Sequence, residues 1–266
     1  MRASVWTSAG PSMSEAGGAA AISASPDPLM LARMLQFGDS VLPVGGFAFS
    51  GGLEAAVQKG IVHDAATLRE FTLTVLEQAA HGDAVAVAWG VRAARLRHGG
   101  GHAGDAAVPE ALSRLTEIDH EVFSRKPNEE TRLMTVRMGK KLAEMSVHAA
   151  EAPLMRAWLD LIRDERTPGV YPVTLALLFG ELGLEPEQAL MVHQYATAMT
   201  ILNAALRLLR VTHLDTQAIL FGLGPELAGQ CRLAADLPLA RMAAYAPLID
   251  ILAAVHVRGR VRLFMN

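Results

Sequence analysis

The chain has 266 residues, of which 51% are hydrophobic, 19% charged and only 5% aromatic. This apolar fraction excludes a disordered chain, and a single cysteine excludes a disulfide framework or a multi-cysteine metal site. A formal net charge of -3 gives no support to binding of nucleic acid or anionic membranes, because both require a basic surface.

No segment reaches the roughly 20 consecutive apolar residues of a membrane-spanning helix. The most apolar stretch, residues 196–209, contains Thr200, Asn203 and Arg207. We expect it to form a core helix, with an interface helix as the alternative. The N-terminus lacks the uninterrupted apolar segment of a signal peptide. We therefore expect a cytoplasmic protein that contacts neither membrane nor nucleic acid.

The predicted elements begin after residues 1–27, whose Ala, Ser, Gly and Pro content indicates a disordered tail. A helix follows from Pro28 to Gly38, and residues 39–52 form a glycine-rich loop. Apolar periodicity, proline at first turns and glycine at helix ends predict the remaining helices. They cover residues 53–60, a segment that starts at 64 or 67, and residues 83–97, 109–123, 127–148, 171–182, 186–210, 215–223, 226–235 and 239–257.

The fold class follows from the absence of sustained apolar–polar alternation, so the chain is predicted to be all-α with about ten helices. Composition does not change across the glycine-rich linker at residues 98–104, so one helical-bundle-like domain is expected over residues 28–257. Residues 258–266 are predicted to be a flexible tail. Cations alternate with apolar residues there, which favours ordering on a partner with Leu263 and Phe264 as anchors.

Catalytic and metal-binding motifs are weak in this sequence. Residues 46–51 have the glycine spacing of a phosphate-binding loop but lack its Lys and Ser/Thr. The Gly-Asp-Ser sequence that ends at Ser40 is similar to a hydrolase motif, yet that family is α/β and needs a base that Asp250 and His256 do not supply at the usual spacing. The nine histidines show no metal-ligand spacing, so neither a metal site nor a cofactor is predicted.

The loop between the first two helices combines two aromatic residues with several glycines. Glycine permits positive φ angles and close backbone approach. One interpretation is a tight corner whose Phe47 and Phe49 fill the core. The other is a shaped surface on which a second protein docks, and a rigid corner can serve both purposes.

Residues 41–54 closely resemble the N-terminal signature of the UreF urease accessory proteins. The matching positions are Pro43, Gly45, Gly46, Phe47, Ser50, Gly52, Leu53 and Glu54. Weaker matches follow in the family's order, namely Glu130, Arg132, Gly139, Tyr171, Pro172, Asn203, Arg207, Gln217, Asp250, His256, Arg262, Leu263 and Phe264. The resemblance covers roughly residues 29–264. The sequence departs from the family at Tyr171 (commonly His), at residues 212–215, at Val257 (commonly Glu) and in the last residues.

The resemblance implies an all-α, non-catalytic scaffold that forms a homodimer. It implies binding to a UreD/UreH-type accessory protein, to the GTPase UreG and to apo-urease, and modulation of GTP-dependent nickel insertion. Nickel would pass through the complex as cargo, and the matching positions would serve partner binding or structure. Two alternatives remain open from the sequence: a hydrolase that uses Ser40, and a helical adaptor unrelated to urease.

Overall fold

The structure is a computed structural model that describes residues 27–39, 41–96, 107–256 and 262–264. The predicted N-terminal tail up to residue 26, Ser40, the predicted linker, Val257 and part of the C-terminal tail lie outside the described residues. Within them the chain is all-α, as predicted, and contains no strand. The twelve helices are α1 (Pro28–Gly38), α2 (Leu53–Gln58), α3 (Ala65–His81), α4 (Asp83–Arg95), α5 (Ala107–Ser124), α6 (Glu129–Ala149), α7 (Pro153–Arg163), α8 (Tyr171–Glu181), α9 (Pro186–Leu208), α10 (His213–Gly222), α11 (Gly224–Asp236) and α12 (Pro247–His256).

Two neighbouring apolar clusters form the core, and α9 contributes to both. The first is built mainly from α4, α5, α7 and α8 and contains Trp158 and Phe179, both fully buried. The second joins α2, α3, α10 and α12 around the C-terminal half of α9 and includes Phe264. The expectation that residues 196–209 form a core helix is thus confirmed.

Small residues allow the central helices α4 and α8 to approach closely. A Cβ atom on Gly90 of α4 would lie 2.7 Å from the Cβ of Ala176 on α8. Likewise, a Cβ on Gly180 of α8 would lie 2.7 Å from the Cβ of Ala94 on α4. The high glycine and alanine content therefore supports dense helix packing, because larger side chains would push these two backbones apart.

Helix starts follow local capping chemistry. The side chain of Asn128 accepts a hydrogen bond from the Thr131 N–H (2.7 Å) at the start of α6. Of the two predicted starts of α3, Asp64 is the N-cap, and the Thr67 side chain completes its capping box. Short polar side chains at these positions satisfy N–H groups that have no partner inside the helix.

Two features differ from the predicted elements. Helix α7 was not predicted, although its buried residues recur at helical spacing from Leu154 to Ile162. The continuous helix predicted over residues 239–257 is wrong. It is divided into a 3₁₀ turn at Leu239–Arg241 and α12, because Pro247 lacks an N–H and begins a new helix. None of the helices in the described part of the chain is long and apolar enough to cross a membrane.

Candidate functional site

The glycine-rich loop turns the chain sharply between α1 and α2. Gly52 has φ +85°, and a Cβ there would lie 3.3 Å from the backbone oxygen of Ile249 on α12. The two aromatic residues separate, because Phe49 is buried whereas Phe47 is 68% exposed. Each of the two interpretations of this loop therefore applies to one phenylalanine: Phe49 fills the core and Phe47 faces outward.

Glu54 lies in the first turn of α2, where Ser50 Oγ accepts a hydrogen bond from its N–H (3.3 Å), and it is almost fully buried. Its Oε2 accepts hydrogen bonds from His256 Nε2 (2.8 Å) and from the Phe264 N–H (3.0 Å). Its Oε1 accepts one from the Leu263 N–H (2.8 Å). One carboxylate of the signature therefore binds both the end of α12 and the C-terminal segment.

These hydrogen bonds determine the charge state of Glu54. Burial alone would raise the pKa of this carboxyl, but the N–H groups of Leu263 and Phe264 and the ring of His256 hold the pKa below its usual value of 4.5. Hydrogen bonds donated to a carboxylate favour its ionised form. Glu54 is therefore a buried anion at neutral pH, with its charge compensated by directed donors.

The C-terminal segment 262–264 packs beside the signature loop. Phe264 is buried, and the Arg207 guanidinium lies 5.6 Å from the centre of its ring. Arg262 Nη1 lies 2.7 Å from Glu130 Oε1. Leu263 remains 66% exposed and borders, together with Phe47, a cavity of about 450 Å³. Of the two predicted anchors, Phe264 is thus seated in this chain's own core, and only Leu263 is available to a partner.

The structure consequently brings together signature and tail positions that are distant in sequence. We call the surface made by Phe47, Glu130, Arg262 and Leu263 around buried Glu54 the signature–tail face. The other signature positions support it: Leu53 is fully buried, Gly45 and Gly46 shape the turn, and Pro43 is exposed at its edge.

Other predicted positions lie elsewhere. Arg132 donates to the backbone oxygen of Lys126 (2.8 Å) and thereby fixes the start of α6. Gly139 allows α6 to pack on the backbone that enters α8. Gln217 is exposed on α10, away from the signature–tail face.

The region around residues 212–215, where the sequence departs from the family pattern, is a helix start. Thr212 is the N-cap of α10, and Asp215 completes a capping box with it, since Asp215 Oδ2 accepts from the Thr212 N–H (2.8 Å). His213 is exposed in the first turn. The residues that depart from the family pattern therefore form the start of a helix and do not create a buried site.

A second cavity, of about 250 Å³, lies between α3, α6, α9 and α12. Among the predicted positions, Gly46, Tyr171, Pro172 and Asp250 line it. Burial raises the pKa of Tyr171 to about 12, so its hydroxyl stays protonated at neutral pH. We call this space the central cavity.

Sequence reasoning missed polar residues of the central cavity, among them Asp83, Lys126 and His193. They come from three different helices or helix ends, so no local spacing links them. His193 is one of the histidines without metal-ligand spacing, and no signal within α9 distinguishes it from a surface residue.

Asp119 was also missed. Its carboxylate accepts hydrogen bonds from the N–H groups of Gly169 (2.6 Å) and Val170 (2.7 Å) and from the hydroxyl of Thr167 (2.6 Å). Burial raises the pKa of this carboxyl. These bonds hold the backbone that leads into α8 and so fix the position of Tyr171 at the central cavity.

The remaining candidates concern a metal site, a reactive thiol and a catalytic triad. Within the described ranges, no three His, Cys, Asp or Glu side chains are placed to share a metal ion. Burial raises the pKa of the Cys231 thiol to about 11, which disfavours the reactive thiolate. His256 is bound to Glu54, and Asp250 accepts from Gln78 Nε2 (3.2 Å). Neither is arranged as the base of a Ser-His-Asp triad, which requires the two side chains to bond each other.

Comparison with known proteins identifies the family. The model of the UreF family matches residues 62–224. Two proteins named urease accessory protein UreF, from Yersinia pestis (strain Pestoides F) and Yersinia pseudotuberculosis serotype IB (strain PB1/+), are each 48% identical over 236 residues, which is 89% of this chain and 98% of theirs. Urease accessory protein UreF 2 from Brucella canis is 50% identical over 236 residues, covering 89% of this chain and 92% of its own length. With a family model matching over half of its length and relatives matching nearly all of it, this chain belongs to the UreF family of urease accessory proteins.

Proposed function

We propose that this chain is a non-catalytic, cytoplasmic scaffold for inserting nickel into the active site of urease. It bridges a UreD/UreH-type protein and the GTPase UreG on apo-urease, and it modulates GTP-dependent assembly of the metallocentre. Nickel is the cargo of this process. Membership of a family whose relatives are named urease accessory proteins supports the proposal.

The observation that carries the proposal is the signature–tail face. Its two exposed apolar side chains, Phe47 and Leu263, stand beside the Arg262–Glu130 ion pair. Apolar anchors with a charged rim are the usual composition of a specific protein interface. The face is held from below by buried Glu54, so a partner would meet a preorganised surface and pay little ordering entropy.

The proposal predicts that urease in the host depends on this protein. Deleting its gene should abolish urease activity at ordinary nickel concentrations, and excess nickel should restore part of that activity. Urease activity should be measured in cell extracts with and without added nickel. Unchanged activity in the deletion strain would contradict the proposed function.

The role of the signature–tail face is tested by the double variant Phe47→Ser, Leu263→Ser. Because both side chains are exposed, the helical circular dichroism should be unchanged while co-purification with a UreD/UreH-type protein falls at least tenfold. Point variants are preferable to removal of residues 258–266, since that truncation would also remove buried Phe264. Leu233→Ser, an exposed leucine on α11, is the matched control and should bind normally. Equal recovery of the partner with the double variant would refute a docking role for this face.

A further inference from the structure

The central cavity has an apolar wall and a polar wall. Val75, Met138, Ile201 and Ile249 contribute aliphatic and thioether surface. The polar wall carries charged and polar side chains that include Asp83, Lys126, His193 and Asp250. His193 and Asp250 each interact electrostatically with Asp83 and Lys126. A space of about 250 Å³ with this division suits a small ligand that has one polar end and a short apolar body.

The cations of the polar wall are already paired. Lys126 Nζ lies 2.6 and 2.8 Å from the two carboxylate oxygens of Asp83. Burial disfavours ionisation of Asp83, but Lys126 holds the pKa of that carboxyl below its usual value. Arg125 binds the Glu121 carboxylate and the backbone oxygen of Met242. Neither cation is therefore free to bind an anionic ligand.

Some acceptor atoms of the cavity, in contrast, receive no hydrogen bond from the described residues. Asp250 Oδ2 accepts from Gln78 Nε2 (3.2 Å), whereas Oδ1 receives no hydrogen bond within the described ranges. His193 is 5% exposed, and its Nδ1 is buried without a partner there. Burial lowers the pKa of His193 to about 4, so the ring is neutral at pH 7 and one of its nitrogens is an acceptor.

The ion pairs of the lining support the same conclusion. The lining carries two carboxylates, Asp83 and Asp250, and two cations, Lys126 and Arg125. Lys126 is paired with Asp83, and Arg125 with Glu121, which is exposed outside the lining, so Asp250 is the charged group of the lining that has no ion-pair partner among the described residues. Burial and the nearby Asp83 raise the pKa of Asp250, which indicates that its carboxylate lacks sufficient compensation.

We propose that the central cavity binds a primary ammonium group carried on a short aliphatic chain, with Asp250 as its ion-pair partner and His193 as a hydrogen-bond acceptor. The aliphatic chain packs against Met138 and Ile201. A free alkylamine and a lysine side chain of a partner protein share this chemistry. The assignment is independent of the proposed scaffold function, since it concerns a cavity that the signature–tail face does not include.

The test is calorimetric titration of the full-length chain with n-butylammonium, the analogue of a lysine side chain. We expect saturable binding of n-butylammonium and at least tenfold weaker binding of two compounds with the same butyl chain, neutral n-butanol and anionic pentanoate. This series needs no variant, so it remains decisive even if substitutions unfold the protein. Equal binding of the three compounds, or no binding of n-butylammonium, would overturn the proposal.

Variants then locate the site. Asp250→Asn keeps an oxygen for Gln78 and should weaken n-butylammonium binding at least tenfold, whereas Asp236→Asn, an exposed carboxylate at the end of α11, should not change it. Unaltered binding by Asp250→Asn would place the cation elsewhere and contradict the assignment. N-acetyl-lysine methylamide distinguishes the sources: binding as strong as that of n-butylammonium indicates a lysine side chain, and at least tenfold weaker binding indicates a free amine.

Discussion

Glu54 accepts hydrogen bonds from donors that lie 202, 209 and 210 residues further along the chain. At the scale of single residues, it is the group on which the signature–tail face depends. Its own burial opposes its charge, and these three donors lower its pKa against that cost. Removing the charge, by mutation or by acid, should therefore loosen the C-terminal segment before the rest of the protein unfolds.

The variant Glu54→Gln tests this dependence. Its amide nitrogen is a donor and cannot accept from a backbone N–H, so at least one buried donor loses its partner at a cost of about 2 kcal/mol. We expect the free energy of unfolding in urea at pH 7 to fall by that amount. Glu117→Gln, on the exposed side of α5, is the control and should change it by less than about 0.5 kcal/mol.

The pH dependence of the same variant has a definite sign. Because the pKa of Glu54 is lower in the folded state than its usual value of 4.5, its stabilising contribution is complete above pH 4.5 and is lost as the pH falls through the folded pKa. The wild-type protein should therefore lose stability more steeply than Glu54→Gln below pH 4.5. Parallel stability curves for the two proteins in that range would contradict this account.

His193 provides a second pH-dependent prediction at a higher pH. Its pKa falls from 6.5 to about 4 on burial, so the unfolded chain takes up a proton first as the pH falls below 6.5, and acid favours unfolding. This residue should cost the wild-type protein about 2 kcal/mol between pH 7 and pH 5. His193→Gln should lack that component, which urea unfolding at the two pH values measures. A wild-type loss no larger than that of the variant would show that His193 is not buried in its neutral form.

At the scale of helices, the contact of α6 with the entry to α8 has the least room. A Cβ atom on Gly139 would lie 2.8 Å from the backbone carbon of Val170 and 2.9 Å from the Tyr171 nitrogen. Asp119 holds that backbone in place, so it cannot move aside to relieve the overlap.

Gly139→Ala should therefore reduce the free energy of unfolding by about 3 kcal/mol, although alanine is the better helix former. Gly229→Ala on α11 is the matched control, because its Cβ would meet nothing within 4 Å. The free energy of unfolding of that control should rise by up to about 1 kcal/mol from helix propensity alone. Thermal and urea unfolding followed by circular dichroism would measure both changes. An unchanged free energy of unfolding in Gly139→Ala would show that the two helices can separate freely.

The helices themselves could largely be predicted from the sequence, because their signals are local. Pro28 and Gly38 bound α1 as expected, and prolines mark the starts of several others. The missed α7 also carries a local signal, so that omission was avoidable. The prediction of one continuous helix over residues 239–257 was wrong because it gave apolar periodicity more weight than Pro247.

The candidate site could be predicted only in part. Phe47, Glu54, Arg262 and Phe264 were identified by resemblance, but their mutual contact involves no periodicity and spans about 200 residues. The central cavity was not predictable for the same reason: Asp83, Lys126 and His193 meet only after helices α3 to α9 have packed. Long-range packing, and not local propensity, decides which of the predicted residues form a common site.

At the scale of the whole molecule, apolar side chains remain outside the two clusters. Phe221 is 90% exposed, and Leu214, two turns earlier on α10, is 70% exposed. Exposed apolar patches of this kind mark association surfaces. We expect the predicted homodimer to use this face of α10.

Phe221→Ser tests that expectation. Since the side chain is solvated in the monomer, the stability of the monomer should change by less than about 0.5 kcal/mol. Light scattering after size exclusion should show that the variant dimer dissociates at a higher protein concentration than the wild-type dimer. Leu248→Ser, exposed on α12, is the control with a similar loss of apolar surface. An unchanged dimer fraction in Phe221→Ser would place the contact on another face.

The dependence of Glu54 on residues 263 and 264 has a consequence for biosynthesis. Helix α2 is translated early, whereas residues 263 and 264 are translated near the end of synthesis. Yet Glu54 can acquire its backbone donors only after more than 200 further residues have been synthesised. Until then this carboxylate lacks its backbone donors and its charge opposes burial, so we expect the corner that carries the signature to close only once the C-terminal segment has been synthesised.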